Sequence, residues 1–247
     1  MTTQPEPASL PEAFDPSWVL FHRSGVLIVN KPAGVPVHRG TKHGQGLAEM
    51  IDEWSRLNPG ALEMRSGRSV HPVHRLDLEA TGVLAFGLNP KAARELHAAF
   101  AGRTVKKIYL AVVAGPVAAV GHLRGRVGSR LRGRYRQLEA ELTFRRLRGD
   151  DRLSLVEVEP EGGRPHQIRA LFAASDRPLA GDLRYGKPKP ARQFLEKFGV
   201  PFFLLHALEL TLPEQIVGAD RTFRAPLPEG FRNVIARKGW EPLPEMP

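Results

Sequence analysis

The sequence predicts an α+β fold: a mixed, mostly antiparallel sheet with flanking helices and loops. Three observations predict it. Short apolar runs of strand character recur along the chain, helical patterns are interspersed among them without regular alternation, and residues 138–145 alternate apolar and polar side chains. A doubly wound parallel sheet would require the strand–helix alternation that is missing.

The elements follow in order. Residues 25–30 (GVLIVN) are a short apolar run ended by Lys31-Pro32-Ala33-Gly34, which reads as a buried strand and then a turn. Residues 46–57 place Leu47, Met50, Ile51, Trp54 and Leu57 at helical spacing. Pro72 opposes an interior helix, so residues 70–76 read as extended, and residues 82–88 as another strand. Asn89 and Pro90 supply a helix cap and a first helical position. Ala92, Ala93, Leu96, Ala99 and Phe100 follow on one face, and Gly102 ends the pattern. Strands are expected over 106–115, 138–145 and 153–158, and a helix over 165–174. Strands over 202–212 and 221–225 and a helix over 230–238 close the chain.

The chain has 247 residues and a hydrophobic content of 42%, enough for one domain over residues 20–240 between a proline-rich, flexible leader (1–19) and a short tail (241–247). The absence of cysteine excludes disulfides, thiolate metal sites and Cys nucleophiles, and it fits a reducing cytoplasm. The leader lacks a secretory signal pattern, and no apolar run approaches the roughly 20 residues that cross a bilayer. A soluble, cytoplasmic, monomeric protein is expected. Lys and Arg total 36 against 26 for Asp and Glu, a formal charge of +10, which points to a polyanionic partner, nucleic acid ahead of membrane. Residues 122–136 hold six arginines among glycines, with Arg103 upstream, and read as flexible backbone suited to phosphate contacts.

Chemistry concentrates in a few segments. In residues 71–82 (HPVHRLDLEATG), His71, His74 and Asp77 recur every third residue, a metal-ligand spacing if the segment were helical; Pro72 opposes that. The other reading is an extended segment delivering Asp77 to a loop, where Arg75 keeps the carboxylate ionised as a nucleophile requires. An Asp that only caps a turn is the bland alternative. Residues 162–169 (GGRPHQIR) set Arg164, His166, Gln167 and Arg169 around a helix start that favours anions. Tyr109 sits on a strand (KKIYLA), where core packing is the commoner role. Residues 181–186 (GDLRYG) form a tight loop, and His206 reads as structural. No phosphate-binding GxxxxGK[ST], no GxGxxG after a strand and no GxSxG occurs, so nucleotide hydrolysis, dinucleotide chemistry and Ser hydrolysis have no support.

Taken together these segments resemble the RluA family of pseudouridine synthases, whose motifs stand here in family order. They are Asn30-Lys31-Pro32-Ala33-Gly34, His74 to Gly82, Lys107 to Ala111, Gly163 to Arg169, Gly181 to Gly186, and Leu205-His206-Ala207 with Leu210, spread over roughly residues 20–235. The resemblance implies the pseudouridine synthase catalytic domain, with an RNA cleft across its sheet. It implies Asp77 as nucleophile, Tyr109 beside the target base and Arg169 as the basic partner of the aspartate. Arg75 matches a residue that some relatives insert into the RNA stack after base flipping. His74, Leu76, Arg164, His166 and Gln167 fall in the same RNA-binding motifs.

The implied activity is isomerisation of uridine in ribosomal or transfer RNA, with no metal or organic cofactor. Two departures stand out: Ala80 replaces the usual threonine of the aspartate motif, and nothing before residue 20 resembles the S4-type RNA-binding domain of some members. The rival readings are an RNA-binding protein that lost turnover and a metal-dependent nuclease built on His71, His74 and Asp77.

Overall fold

The apolar runs become strands, and every described register between them is antiparallel. The structure is a computed structural model that describes residues 11–39, 45–62, 69–131, 134–219, 221–241 and 243, with backbone alone for 129–131. In chain order the strands are β1 (Val19–Arg23), β2 (Val26–Lys31), β3 (His71–Pro72), β4 (Thr81–Gly87), β5 (Lys106–Ala114), β6 (Val120–Leu131), β7 (Arg134–Gly149), β8 (Leu153–Pro160), β9 (Leu205–Leu212) and β10 (Arg221–Arg224). The helices are α1 (Leu47–Leu57), α2 (Pro90–Ala101), α3 (Gln167–Ala174), α4 (Pro188–Phe198), α5 (Glu214–Val217) and α6 (Glu229–Lys238). The α+β, mostly antiparallel class read from the sequence is the class observed.

The chain divides into two compact units. One comprises residues 10–107 and 207–226. Here β2 pairs with β1 on one side and β4 on the other, β3 adds to β4, and β10 pairs with β9. Helix α2 lays Ala92, Ala93, Leu96 and Ala99 against Val26, Ile28, Val83 and Ala85 of β2 and β4, with Leu210, Leu212 and Phe223 completing the core. Burying such side chains contributes about 1.5–3 kcal/mol for each large one. The helix starts where the sequence signals it: the Asn89 side chain accepts the Ala92 N–H at 2.9 Å, and Pro90 follows the cap. Phe14 is buried, its ring 5.7 Å from Trp18 and 5.4 Å from Trp54, so ordered packing reaches into the segment read as a leader. Residues 1–10 of that leader and most of the tail lie outside the described residues.

The other unit comprises residues 108–206 and the described residues from 227 onward. Its strands run in the order β5-β8-β7-β6. Helix α3 packs on the long β6–β7 hairpin, with the Phe172 ring 5.4 Å from that of Phe144. Two expectations are corrected in this unit. Where it is described, the arginine-rich stretch is not flexible backbone but paired strand, residues 122–131 on β6 and 134–136 on β7, while Arg132 and Gly133 lie outside the described residues. The helix expected from Pro165 starts at Gln167, because His166 takes a left-handed conformation (φ 54°) that no helix can include. In the first unit, only His71–Pro72 of the extended run is paired, and residues 73–80 form a loop.

Candidate functional site

Asp77 stands in that loop, half-buried, between β3 and β4. The loop is fastened from below. Lys31, the last residue of β2, is fully buried, and its Nζ donates to the Pro32 carbonyl at 2.8 Å and the Leu78 carbonyl at 3.0 Å. The Gly34 N–H donates to the same Leu78 carbonyl at 2.9 Å. Two donors therefore hold the residue next to Asp77. Within the loop, the Ala80 N–H closes a turn on the Asp77 carbonyl at 3.2 Å. Burial lowers the Lys31 pKa to about 7, against the opposing pull of the Glu79 and Asp77 charges. A neutral amine has two N–H bonds, and the Pro32 and Leu78 carbonyls are acceptors for both.

Gly82 ends the loop for a physical reason. Its φ is 108°, and a Cβ there would lie 2.2 Å from the Ala207 carbonyl oxygen of β9. Only glycine permits that backbone and that approach. The separated motifs at residues 74–82 and 205–210 thus meet at one contact.

His74, expected to contact RNA, is engaged with the protein itself. Its Nε2 accepts the Ala85 N–H at 2.9 Å, and its ring stacks on Phe100 at 4.4 Å. Burial first, then the Lys107 charge, pushes its pKa down to about 3, so it is neutral near pH 7. That also removes the helical metal reading of His71, His74 and Asp77, since the segment is not helical and the His74 Nε2 lone pair is already used. Among the described residues, the ligand atoms that converge within 4.8 Å belong to His122, Glu141 and Glu161. Glu141 of that group already pairs with the Arg124 Nε at 3.2 Å. Leu76 is buried, while Arg75 next to it is exposed and free to reach a ligand.

The second unit carries the remaining candidates. Tyr109 lies half-buried on β5, in register with Val158. Arg169 is 3% exposed on α3, and Asp182 is fully buried. Arg169 donates from Nε to Asp182 Oδ2 at 2.7 Å and from Nη2 to Oδ1 at 3.0 Å, a bidentate pair. The same Oδ1 accepts the N–H groups of Arg184 and Tyr185, each at 3.0 Å. Burial alone would raise the Asp182 pKa, but the Arg169 hydrogen bonds and charge and these two amides outweigh it and hold the carboxylate below its usual range. The guanidinium also lies 4.2 Å from the Phe203 ring centre and 5.2 Å from that of Tyr185. His166 meets Tyr185 edge-on at 5.7 Å. Gln167, expected to face RNA, is buried instead: its amide accepts the Arg164 N–H at 3.0 Å and donates to the Glu141 carbonyl at 2.7 Å. Arg164 itself is exposed.

Sequence reasoning missed two residues of this machinery. Lys31 had a signal, its place at the end of an apolar run inside the first motif. Asp182 had one too, as the only carboxylate of the glycine-bounded loop 181–186.

Comparison with known proteins bears on what such an arrangement serves. A family model described as RNA pseudouridylate synthase matches residues 25–174. The chain is similar to "tRNA pseudouridine synthase C" of Vibrio vulnificus (strain CMCP6), 27% identical over 243 residues, covering 90% of this chain and 95% of that one. It is also similar to "Ribosomal large subunit pseudouridine synthase C" of Vibrio cholerae serotype O1 (strain ATCC 39315 / El Tor Inaba N16961), 30% identical over 225 residues, covering 89% and 68%. Among solved structures, "Human RNA Pseudouridylate Synthase Domain Containing 4" shares the fold with a TM-score of 0.74 at 23% identity, over 94% of this chain and 95% of that one. The matched segment takes in the Asp77 loop, Tyr109 and Arg169, and the chain belongs to the RNA pseudouridylate synthase family.

Proposed function

We propose that the protein isomerises uridines of transfer or ribosomal RNA to pseudouridine, with Asp77 as the nucleophile. One observation carries the assignment to Asp77: a half-buried carboxylate on a loop whose next residue is clamped by Lys31 and Gly34. Such a clamp holds a nucleophile in place before substrate arrives, which is how proximity lowers a barrier. The target nucleotide must first leave its stack, at a cost of a few kcal/mol, and phosphate contacts to the basic surface offset it. The exposed Arg75 fills the vacated place. Asp77 then assists cleavage of the bond between N1 and C1′, the freed uracil turns, C5 bonds to C1′, and the proton lost from C5 is balanced by one gained at N1. Atoms are conserved and nothing is oxidised or reduced, so the reaction calls for neither metal nor organic cofactor.

In the same reading Arg169 keeps Asp77 ionised and aimed, with Asp182 and Phe203 fixing the guanidinium, and Tyr109 lies against the base. Relatives named for both RNA classes support both as substrates. We also propose a monomer acting in the cytoplasm; among the described residues no helix is long and apolar enough to cross a membrane.

The test is pseudouridine mapping of transfer and ribosomal RNA in a deletion strain carrying the parent gene or the Asp77→Asn variant. The parent restores at least one modified position and the variant none, while the purified variant still binds RNA. Restoration by Asp77→Asn would sink the assignment.

A further inference from the structure

The β6–β7 hairpin changes character along its length. In the backbone register Arg124 stands opposite Glu141, Arg126 opposite Glu139, Gly128 opposite Gln137 and Arg130 opposite Tyr135. Near the base the charges cancel: Arg126 Nε lies 2.8 Å from Glu139, and Arg124 Nε 3.2 Å from Glu141. Past Gly128 the cancellation stops. Residues 128–137 (GSRLRGRYRQ) contain four arginines and no acidic residue. Arg134 and Arg136 are exposed, and so is Tyr135, at 67%.

Tyr135 is not a loose surface aromatic. A Cβ on Gly128 would lie 2.0 Å from the Tyr135 hydroxyl oxygen, so the hydroxyl end of the ring lies over bare backbone and a side chain there would push it aside. Gln137 Nε2 donates to that hydroxyl at 3.1 Å. A flat ring is thus pinned across the hairpin with much of its surface open to water. An aromatic held this way gives a base something to stack on at little entropic cost, and the flanking guanidinium groups suit phosphates.

We propose that the end of this hairpin is a second RNA contact, in which Tyr135 stacks on an unpaired base of the substrate and Arg134 and Arg136 hold the adjoining phosphates. The inference rests on the RNA activity proposed above and adds a place where the enzyme grips its substrate. It commits to RNA because stacking plus phosphate contacts matches the chemistry at the tip, where Leu131 is the sole aliphatic side chain in residues 128–137.

The test uses the full-length chain with bulk transfer RNA, measuring Kd over a range of KCl concentrations and KM for pseudouridine formation. Tyr135→Ala raises Kd and KM about tenfold and leaves the salt slope unchanged, since one stacked base is lost and no charge. Tyr135→Phe keeps the ring and stays within about twofold of the parent. The double variant Arg134→Gln, Arg136→Gln flattens the slope of log Kd against log salt by roughly 1.5, the value for two phosphate contacts. Thermal unfolding of each variant checks that the hairpin still folds. Parental Kd in both Tyr135→Ala and the double arginine variant overturns the proposal. So does loss of binding to anionic phospholipid vesicles in place of RNA. Should the parent make no pseudouridine while Tyr135→Ala still weakens transfer RNA binding, the activity reading fails and the hairpin contact stands.

Discussion

Among the described residues one lysine and one arginine are buried, one in each unit, and they are handled in opposite ways. Arg169 is matched with a carboxylate, two hydrogen bonds and an aromatic face, and Asp182 is in turn satisfied by backbone amides. Lys31 has carbonyl oxygens as its hydrogen-bond partners, with the Asp77 and Glu79 charges acting from further away. A guanidinium stays charged at any accessible pH, so its burial demands a counter-charge. An amine can escape by losing its proton, and carbonyls then suffice. The first arrangement is a fixed ionic post; the second is a clamp whose charge changes near neutrality.

The largest expected effect comes from breaking the ionic post. Asp182→Ala strands a buried guanidinium and leaves the Arg184 and Tyr185 amides without their acceptor. It is expected to cost about 3–5 kcal/mol, read as a fall in the urea midpoint at unchanged m value. Lys31→Met removes a buried amine and strands no charge, and the Leu78 carbonyl keeps the Gly34 N–H as a donor, so at pH 6 it should cost far less. Equal losses in the two variants at pH 6 would erase the distinction between post and clamp.

The next effect is in pH dependence, where the two sites should diverge. The folded pKa of Lys31 is about 7 and its ordinary value 10.5. Between those values the unfolded chain binds a proton that the folded protein does not, so stability rises with pH across this window. Below pH 7 both states are protonated and the slope vanishes; above 10.5 both are neutral and it vanishes again. For one buried group the rise is ~1.4 kcal/mol per pH unit at most. Asp182 behaves otherwise. Its folded pKa is depressed, so its contribution is complete above 3.8 and is lost only as pH falls through the folded value. Denaturation from pH 7 to 10 should therefore show a rise in the parent that Lys31→Met lacks. A parental curve in the variant would mean that Lys31 stays charged.

Much of this was legible in the sequence, and what was not has identifiable causes. Local signals carried furthest. Asn89 and Pro90 named the start of α2 because a cap is a contact between near neighbours, and the alternation over residues 138–145 marked β7 because it faces one core. β6 escaped notice because its inward positions include Gly125, and its regularity is set by pairing with β7. α4 was missed because Pro188 and Pro190 argue against a helix, yet both fall in its first turn, where a missing N–H costs nothing. At the candidate site the motifs were readable one by one, but not which residues of each bond to one another. Asp182 is thirteen residues from Arg169. Lys31 reads in the sequence only as the start of a turn after an apolar run, since nothing local marks its burial. Gln167 and His74 have the polarity of ligand-binding residues and use it on backbone groups instead.

His74 offers the smallest effect and sharpens the contrast, because it repeats the escape by proton loss in the unit that holds Lys31. Its pKa falls from 6.5 to about 3, chiefly by burial and then by the Lys107 charge. The unfolded chain takes up a proton across that interval while the folded protein does not, so stability drops as pH falls from 6.5 toward 3. The residue as a whole is half-buried, which limits the slope to about 1 kcal/mol per pH unit or less. His74→Gln keeps an acceptor for the Ala85 N–H but cannot titrate, so it should cost about 1 kcal/mol at pH 7 and unfold less steeply in acid than the parent. Identical acid slopes in the two proteins would show that the imidazole can be protonated in place, and the contrast with Arg169 would then rest on Lys31.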